Sequence, residues 1–180
     1  MWESQLTNHQ IDNILYQAES LPFTDAVVGT GDSSARTDYR RSRVKWFDGN
    51  GDVRDILFHY ISEANRLAFN VNVTNYAQIQ YTEYLAENKG HYNWHHDVFW
   101  QGEEELQHMD RKLSIVVQLS DADCYEGGEF EFQEVQSPEA SFKSKGSVLV
   151  FPSYLTHRVN PVTFGRRLSL VAWFYGPRWS

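Results

Sequence analysis

Tyr92-Asn93-Trp94-His95-His96-Asp97 is the stretch whose reading decides the fold. It sets two imidazoles and a carboxylate in one short run after Gly90. In an extended strand alternate residues point the same way, so His95 and Asp97 share a face and His96 points to the other. His95 and Asp97 are therefore expected to hold one metal ion between them, with His96 outside. A further histidine, His157, lies in Phe151-Pro152-Ser153-Tyr154-Leu155-Thr156-His157-Arg158-Val159, at the end of an apolar run that reads as a strand. Two histidines and one carboxylate cover one face of a divalent metal and leave three positions open. Arg167 follows, within Gly165-Arg166-Arg167-Leu168-Ser169-Leu170. Its guanidinium is always protonated and presents a planar fork that matches a carboxylate. The set fits a small dicarboxylate that chelates the metal with one end and is clamped by Arg167 at the other.

Upstream, residues 7–20 read as an amphipathic helix. Thr7 is its N-cap with Gln10 at capping-box spacing, and Ile11, Ile14, Leu15 and Ala18 form the apolar stripe. Residues 25–47 read as extended around a polar turn region at 29–34. Arg36, Arg40, Arg41, Arg43 and Lys45 make a basic cluster there. A solvated strand face is the plain reading of that cluster; a substrate mouth or a contact for an acidic partner is the functional one. Residues 52–69 read as a second helix, with Val53, Ile56, Leu57, Tyr60, Ile61, Ala64, Leu67 and Ala68 facing a sheet. From residue 71 onward the pattern is of short strands: 77–84, 113–119, 127–132, 146–151 and 168–175, besides the histidine stretch. Two helices followed by some eight short strands predict a mainly β fold, a double-sheet jelly roll with the helices packed on one sheet. The expected organisation is a single domain over 1–180, with a support region at 1–75 and a metal-binding core at 76–177.

Composition narrows the function classes. The chain has 180 residues with 41% hydrophobic and 15% aromatic content, which is enough for a full core. A net charge of −8 argues against a general nucleic-acid or anionic-membrane binder. The single cysteine, Cys124, allows no internal disulfide and points to a reducing compartment. Residues 1–6 show neither a charged n-region nor an apolar h-region, so a cytoplasmic protein is expected. No apolar run approaches the roughly 20 residues of a membrane helix.

From about 78 to 177 the chain resembles the iron(II)- and 2-oxoglutarate-dependent dioxygenases, in particular the prolyl 4-hydroxylase-like branch. The matching pieces fall in that family's order: Gln80-Tyr81-Thr82-Glu83-Tyr84, the Tyr92-to-Asp97 stretch, Tyr125-Glu126-Gly127-Gly128-Glu129-Phe130, His157-Arg158-Val159-Asn160-Pro161-Val162, Gly165-Arg166-Arg167 and Trp173.

The resemblance implies a double-stranded β-helix with iron(II) held by His95, Asp97 and His157. The family's glycine-x-arginine spacing selects Arg167, not Arg166, for the distal carboxylate of 2-oxoglutarate. Relatives often add a tyrosine from the strand after the metal-binding one; here residues 111–120 offer Gln118 and no tyrosine. Gln118, Ser114 and Tyr84 are the candidates for that contact. Tyr92 enters the pocket only if a bulge turns it inward. The implied reaction consumes dioxygen and 2-oxoglutarate, with ascorbate a further candidate cofactor, and returns succinate, carbon dioxide and a hydroxylated product.

A prolyl residue of a protein or peptide is the leading substrate; a free amino acid or other small molecule is the alternative. Residues 36–45, 99–110 and 121–126 are the loops expected to carry specificity. Nucleic acid is not expected, because relatives that demethylate it carry a second arginine where Trp173 stands. The sequence sets no oligomeric state. Zinc is the rival metal for two histidines and a carboxylate. A metal-free cupin-like binding module is the rival from another class.

Overall fold

The computed structural model describes residues 1–26, 38–98 and 108–179. Helix α1 (Asn8–Glu19) starts at the expected capping box. The Thr7 hydroxyl accepts from the Gln10 N–H, and Gln10 Oε1 accepts from the Thr7 N–H at 2.9 Å. This satisfies N–H groups that a helix start otherwise leaves unpaired. Helix α2 (Asp52–Ala64) runs on into a π-helical turn (Asn65–Phe69). Val53, Leu57, Ile61 and Ala64 are buried as the stripe predicts, but Leu67 and Ala68 are exposed. The wider π turn shifts the helical phase, so Phe69 and Val71 pack on the core in their place.

The strands are β1 (Thr24–Asp25), β2 (Arg40–Arg41), β3 (Arg43–Phe47), β4 (Ala77–Leu85), β5 (His91–His95), β6 (Met109–Gln118), β7 (Tyr125–Gly127), β8 (Phe130–Phe132), β9 (Val148–Pro152), β10 (His157–Val159) and β11 (Val162–Pro177). They pair antiparallel in two sheets. The larger runs β1-β3-β4-β11-β6-β9, with β7 also on β11, and the smaller runs β2-β5-β10-β8. This is the jelly roll that the sequence predicts. Its larger sheet separates two cores. Ile79, Ile115, Leu170 and Phe174 point outward onto Ile11, Ile14, Leu57 and Ile61 of the helices. Residues of the other parity, including Tyr84 and Val116, point inward with Phe151, Val159 and Val162. Residues 113–119 read as near-continuously apolar because both faces of β6 are covered.

Several boundaries differ from the sequence reading. Residues 127–132 split into β7 and β8, since Gly127 and Gly128 take φ of 74° and 64° and turn the chain. His157 does not end the apolar strand; β9 stops at Pro152 and a turn leads into β10. The expectations for 27–37, including Arg36 and the turn at 29–34, and for 99–107, including Phe99 and the acidic run Glu103-Glu104-Glu105, lie outside the described residues.

One glycine bears directly on the site. Gly165 has φ of 68°, and a Cβ there would stand 2.0 Å from the Cys124 carbonyl oxygen. It lets β11 press against β7 just before Arg167. Gly165→Ala therefore meets both left-handed strain and a backbone clash, and should cost about 2 kcal/mol or more. A urea unfolding curve would show this as a lowered midpoint at unchanged slope.

Candidate metal centre

Strand β5 ends at His95, so Asp97 is not on the strand as the alternation argument assumed. It reaches the same side by another route. Its N–H donates to the Ser153 carbonyl at 2.8 Å, which folds the chain back over the mouth of the larger sheet. Cross-strand pairing sets His157 of β10 directly opposite His95. The result is a cluster in which one ligand atom of each of His95, Asp97 and His157 lies within 4.8 Å of the others. His95 Nε2 is 3.8 Å from Asp97 Oδ1, and His157 Nε2 is 3.6 Å from Asp97 Oδ2. His96 is exposed, on the far side from the cluster.

The backbone fixes both imidazoles in one tautomer. His95 Nδ1 meets the Asn93 carbonyl at 2.7 Å and His157 Nδ1 meets the Leu155 carbonyl at 2.9 Å. A carbonyl only accepts, so each Nδ1 carries the proton and each Nε2 keeps its lone pair toward Asp97. Burial, then the neighbouring His157, push the His95 imidazole down to about 3, so it is neutral at ordinary pH. Burial works against the Asp97 carboxylate. The neighbouring His157 and His95 imidazoles, Arg111 and the donating Ser114 hydroxyl outweigh it and hold Asp97 below the usual carboxylate range. Two imidazoles with Nε2 turned toward an ionised carboxylate form a donor set suited to a divalent cation.

Ser114 is engaged elsewhere than its candidate role requires. Its hydroxyl donates to Asp97 Oδ2 at 2.7 Å and lies 2.9 Å from the Ser153 hydroxyl. It orients the carboxylate, and it is not available to a cosubstrate.

Tyr92 does face the cavity. The β5–β10 register slips between the pairs His157–His95 and Val159–Tyr92. The bulge brings Tyr92 to the side of His95, where the two rings stack with centroids 3.4 Å apart.

The same cavity continues inward to Arg167, and Tyr84 and Tyr92 both line it. Arg167 is 1% exposed, yet its Nε and Nη2 have no hydrogen-bond partner. Nor do the buried Gln118 Oε1, Tyr125 hydroxyl and Trp173 Nε1. Gln118 stands across the ladder from Ser169, on the inward parity of β6. Tyr125 was missed by the sequence reading, and the glycine pair explains its position. A Cβ on Gly128 would lie 2.8 Å from Arg167 Cδ and 3.5 Å from the Tyr125 ring, so the bare glycine lets these two side chains converge. Arg166, by contrast, is exposed and pairs with Glu83 at 3.3 Å. A buried, unpartnered Tyr125 hydroxyl close to an unpaired guanidinium is what a carboxylate would satisfy. The residues therefore fit both a divalent metal and the far end of a dicarboxylate.

Among its described members, the basic cluster is a partly solvated face whose cations are mostly partnered. Arg41 pairs with Asp38, Arg43 pairs with Glu83, and buried Lys45 donates to the Ala18 carbonyl. Among the described residues of this group, only Arg40 lines the cavity.

Residues 79–175 match the family model described as the 2OG-Fe(II) oxygenase superfamily, which spans more than half the chain. The chain belongs to this superfamily. Its cofactor and cosubstrates are iron(II), 2-oxoglutarate and dioxygen. Among curated relatives, the oxygenase is similar to a PKHD-type hydroxylase from Idiomarina loihiensis, 35% identical over 83 residues, which are 42% of this chain and 38% of that one. A PKHD-type hydroxylase from Teredinibacter turnerae is 34% identical over 86 residues, 48% of this chain and again 38% of the relative. The chain thus spans well under half the length of these relatives. In fold, the oxygenase matches a Pseudomonas putida prolyl-4-hydroxylase at a TM-score of 0.66 and 20% identity, over 98% of this chain and 91% of that one. It also matches a Trichoplax adhaerens prolyl hydroxylase in complex with a hypoxia inducible factor peptide fragment, at a TM-score of 0.68 and 17% identity, over 98% and 82%. Among the described residues, no helix is long and apolar enough to cross a membrane.

Proposed function

We propose that this oxygenase is an iron(II)- and 2-oxoglutarate-dependent hydroxylase that acts on a prolyl residue of a protein or peptide. The observation that carries the reading is the convergence in one cavity of the His95, Asp97 and His157 ligand atoms with the unpaired guanidinium of Arg167. His95, Asp97 and His157 would hold the iron, which when bound supplies the oxidising chemistry that hydroxylates a C–H bond at the cost of 2-oxoglutarate decarboxylation. Three ligands on one face leave room for the cosubstrate and dioxygen. Arg167 anchors the distal carboxylate, with the Tyr125 hydroxyl beside it. Ser114 and the Ser153 carbonyl keep Asp97 in register. The apolar inner wall of Tyr84, Val116, Phe130 and Val159 keeps the cavity dry. The prolyl peptide is supported by the fold, which is shared with prolyl hydroxylases, one of them peptide-bound. The exposed, unpaired Cys124 fits a reducing compartment, so we place the protein in the cytoplasm.

An anaerobic titration with iron(II) and 2-oxoglutarate tests the site through the weak visible band of the chelate. Aerobic incubation with a library of proline-containing peptides then tests the substrate, read as succinate released together with a mass gain of one oxygen. A band with peptide-coupled succinate supports both claims. A band with turnover only on free amino acids removes the peptide. No band turns the reading to a zinc site or a binding module.

Tyr125 gives a narrower check. Its hydroxyl is buried without a partner, so Tyr125→Phe should leave stability nearly unchanged. If the hydroxyl donates to the cosubstrate, 2-oxoglutarate should bind roughly five- to tenfold more weakly, the size of one hydrogen bond. Calorimetric titration of the manganese-loaded protein would measure it.

A further inference from the structure

Two arginines line the cavity, Arg40 and Arg167, and among the described residues neither has a carboxylate partner. Arg41, Arg43, Arg158 and Arg166 each pair with an acidic side chain. Arg40 is held instead by neutral groups. Its Nε donates to the Ser42 hydroxyl at 2.9 Å, its Nη2 donates to Gln80 Oε1 at 2.8 Å, and its Cζ lies 4.4 Å from the centroid of the Tyr92 ring. Gln80 is in turn fixed by the Thr82 hydroxyl, 3.2 Å away. The guanidinium is thus oriented by a buried scaffold, next to the ring that stacks on His95.

Position along the sheet separates the two cations. Arg167 pairs with Tyr84 on β4, whereas Arg40 is bound to Gln80 of the same strand. The β4 residues that the two cations neighbour, Tyr84 and Gln80, are four residues apart, roughly 13 Å along the strand. One 2-oxoglutarate clamped by Arg167 therefore does not also satisfy Arg40. The charges lead to the same conclusion. With a divalent metal, Asp97, the cosubstrate dianion and Arg167 in place, the site is neutral, and the Arg40 charge remains uncompensated. A cation kept in a partly closed cavity without an anion is costly unless a ligand supplies one.

We propose that Arg40 is a specificity residue that takes a carboxylate of the substrate beside the carbon to be hydroxylated. This deepens the hydroxylase reading above and rests on it. Two sources offer the same chemistry, a terminal carboxylate on the proline itself or an acidic side chain next to it in a peptide. Ser42 and Gln80 hold the fork, Tyr92 backs it, and the remaining N–H groups of the guanidinium meet the incoming oxygens.

The test uses the protein with manganese(II) in the triad and saturating 2-oxoglutarate, and reads binding as paramagnetic relaxation of ligand protons. Two pairs of probes separate the sources. N-acetylproline is compared with N-acetylprolinamide, and an amidated peptide with glutamate next to proline is compared with its glutamine counterpart. In the wild type the anionic member of at least one pair should bind at least about tenfold more tightly than its neutral partner. Arg40→Gln should erase that preference, and Arg40→Lys should restore part of it. Equal binding within both pairs, no binding of any probe, or a preference that survives Arg40→Gln overturns the proposal. Relaxation of 2-oxoglutarate in the same samples reports separately on the metal and cosubstrate reading. Its loss while water-proton relaxation still shows bound manganese(II) would sink the cosubstrate reading, and the four probes would then report on Arg40 against the metal alone.

Discussion

Replacing His157 by alanine is expected to abolish iron binding and with it the visible band of the iron and 2-oxoglutarate chelate. Among the described residues no other side chain joins His95 and Asp97 to take its place. His157 Nε2 lies 3.6 Å from Asp97 Oδ2, and the cluster of three is the whole candidate ligand set among the described residues. Losing an outer partner of a metal ligand typically costs 10–100-fold in affinity, so losing a ligand should cost more than about 100-fold. The ring also has a packing role. It is 4% exposed, stacks on Phe130 at 5.1 Å and meets Phe151 edge-on at 4.8 Å. Alanine leaves a cavity there and should lower the unfolding free energy by about 2 kcal/mol or more. His157→Gln keeps much of the volume and separates the two effects. If the glutamine variant melts close to the wild type and still shows no band, the loss belongs to ligation. A full-strength band in either variant would remove His157 from the metal centre.

Arg167→Met is expected to move binding and stability in opposite directions. The wild-type guanidinium is buried with two of its nitrogens unpartnered, a cost the fold carries until an anion arrives. Methionine of similar length has no such charge. Without ligand, the variant should therefore melt higher than the wild type, by a margin of order 1–4 kcal/mol. With manganese(II) and 2-oxoglutarate the order should reverse. The wild type gains the full charge-assisted pair, whereas the variant loses roughly 2–5 kcal/mol of cosubstrate binding, about 30-fold or more in dissociation constant. Thermal unfolding at several 2-oxoglutarate concentrations measures both effects, because stabilisation by a ligand follows its concentration over its dissociation constant. Equal cosubstrate affinity in the two proteins would mean that Arg167 faces something other than 2-oxoglutarate.

The local signals were legible in the sequence. The Thr7 and Gln10 capping box, the stripe from Val53 to Ala64 and the alternation that sends Arg167 inward and Arg166 outward are all written within a few residues. What stayed hidden depends on which strands become neighbours. Ser114 meets Asp97 only because the chain after β5 folds back onto Ser153. Tyr92 faces inward because β5 carries one more residue than β10 between paired positions. Tyr125 reaches Arg167 through two glycines in left-handed conformations, which the Glu126-Gly127-Gly128 motif signals as a turn without saying what it brings together. Arg40 looked like one member of a basic patch. Its difference from Arg41 and Arg43 comes from Gln80 on β4, remote in sequence.

The pairing of β10 with β5 also bears on the order of events as the chain folds. His95 and His157 meet across a ladder whose strands are far apart in the sequence, unlike the tightly spaced ligands of a zinc finger. Such long-range contacts form late, after the loop between them has closed. An unfolded chain offers the ion only the local His95-His96-Asp97 run, without His157. The fold itself holds Asp97, its carboxylate through the Ser114 hydroxyl and its N–H through the Ser153 carbonyl, beside both histidines. A metal site assembled across such a ladder is expected to form only once the barrel has closed.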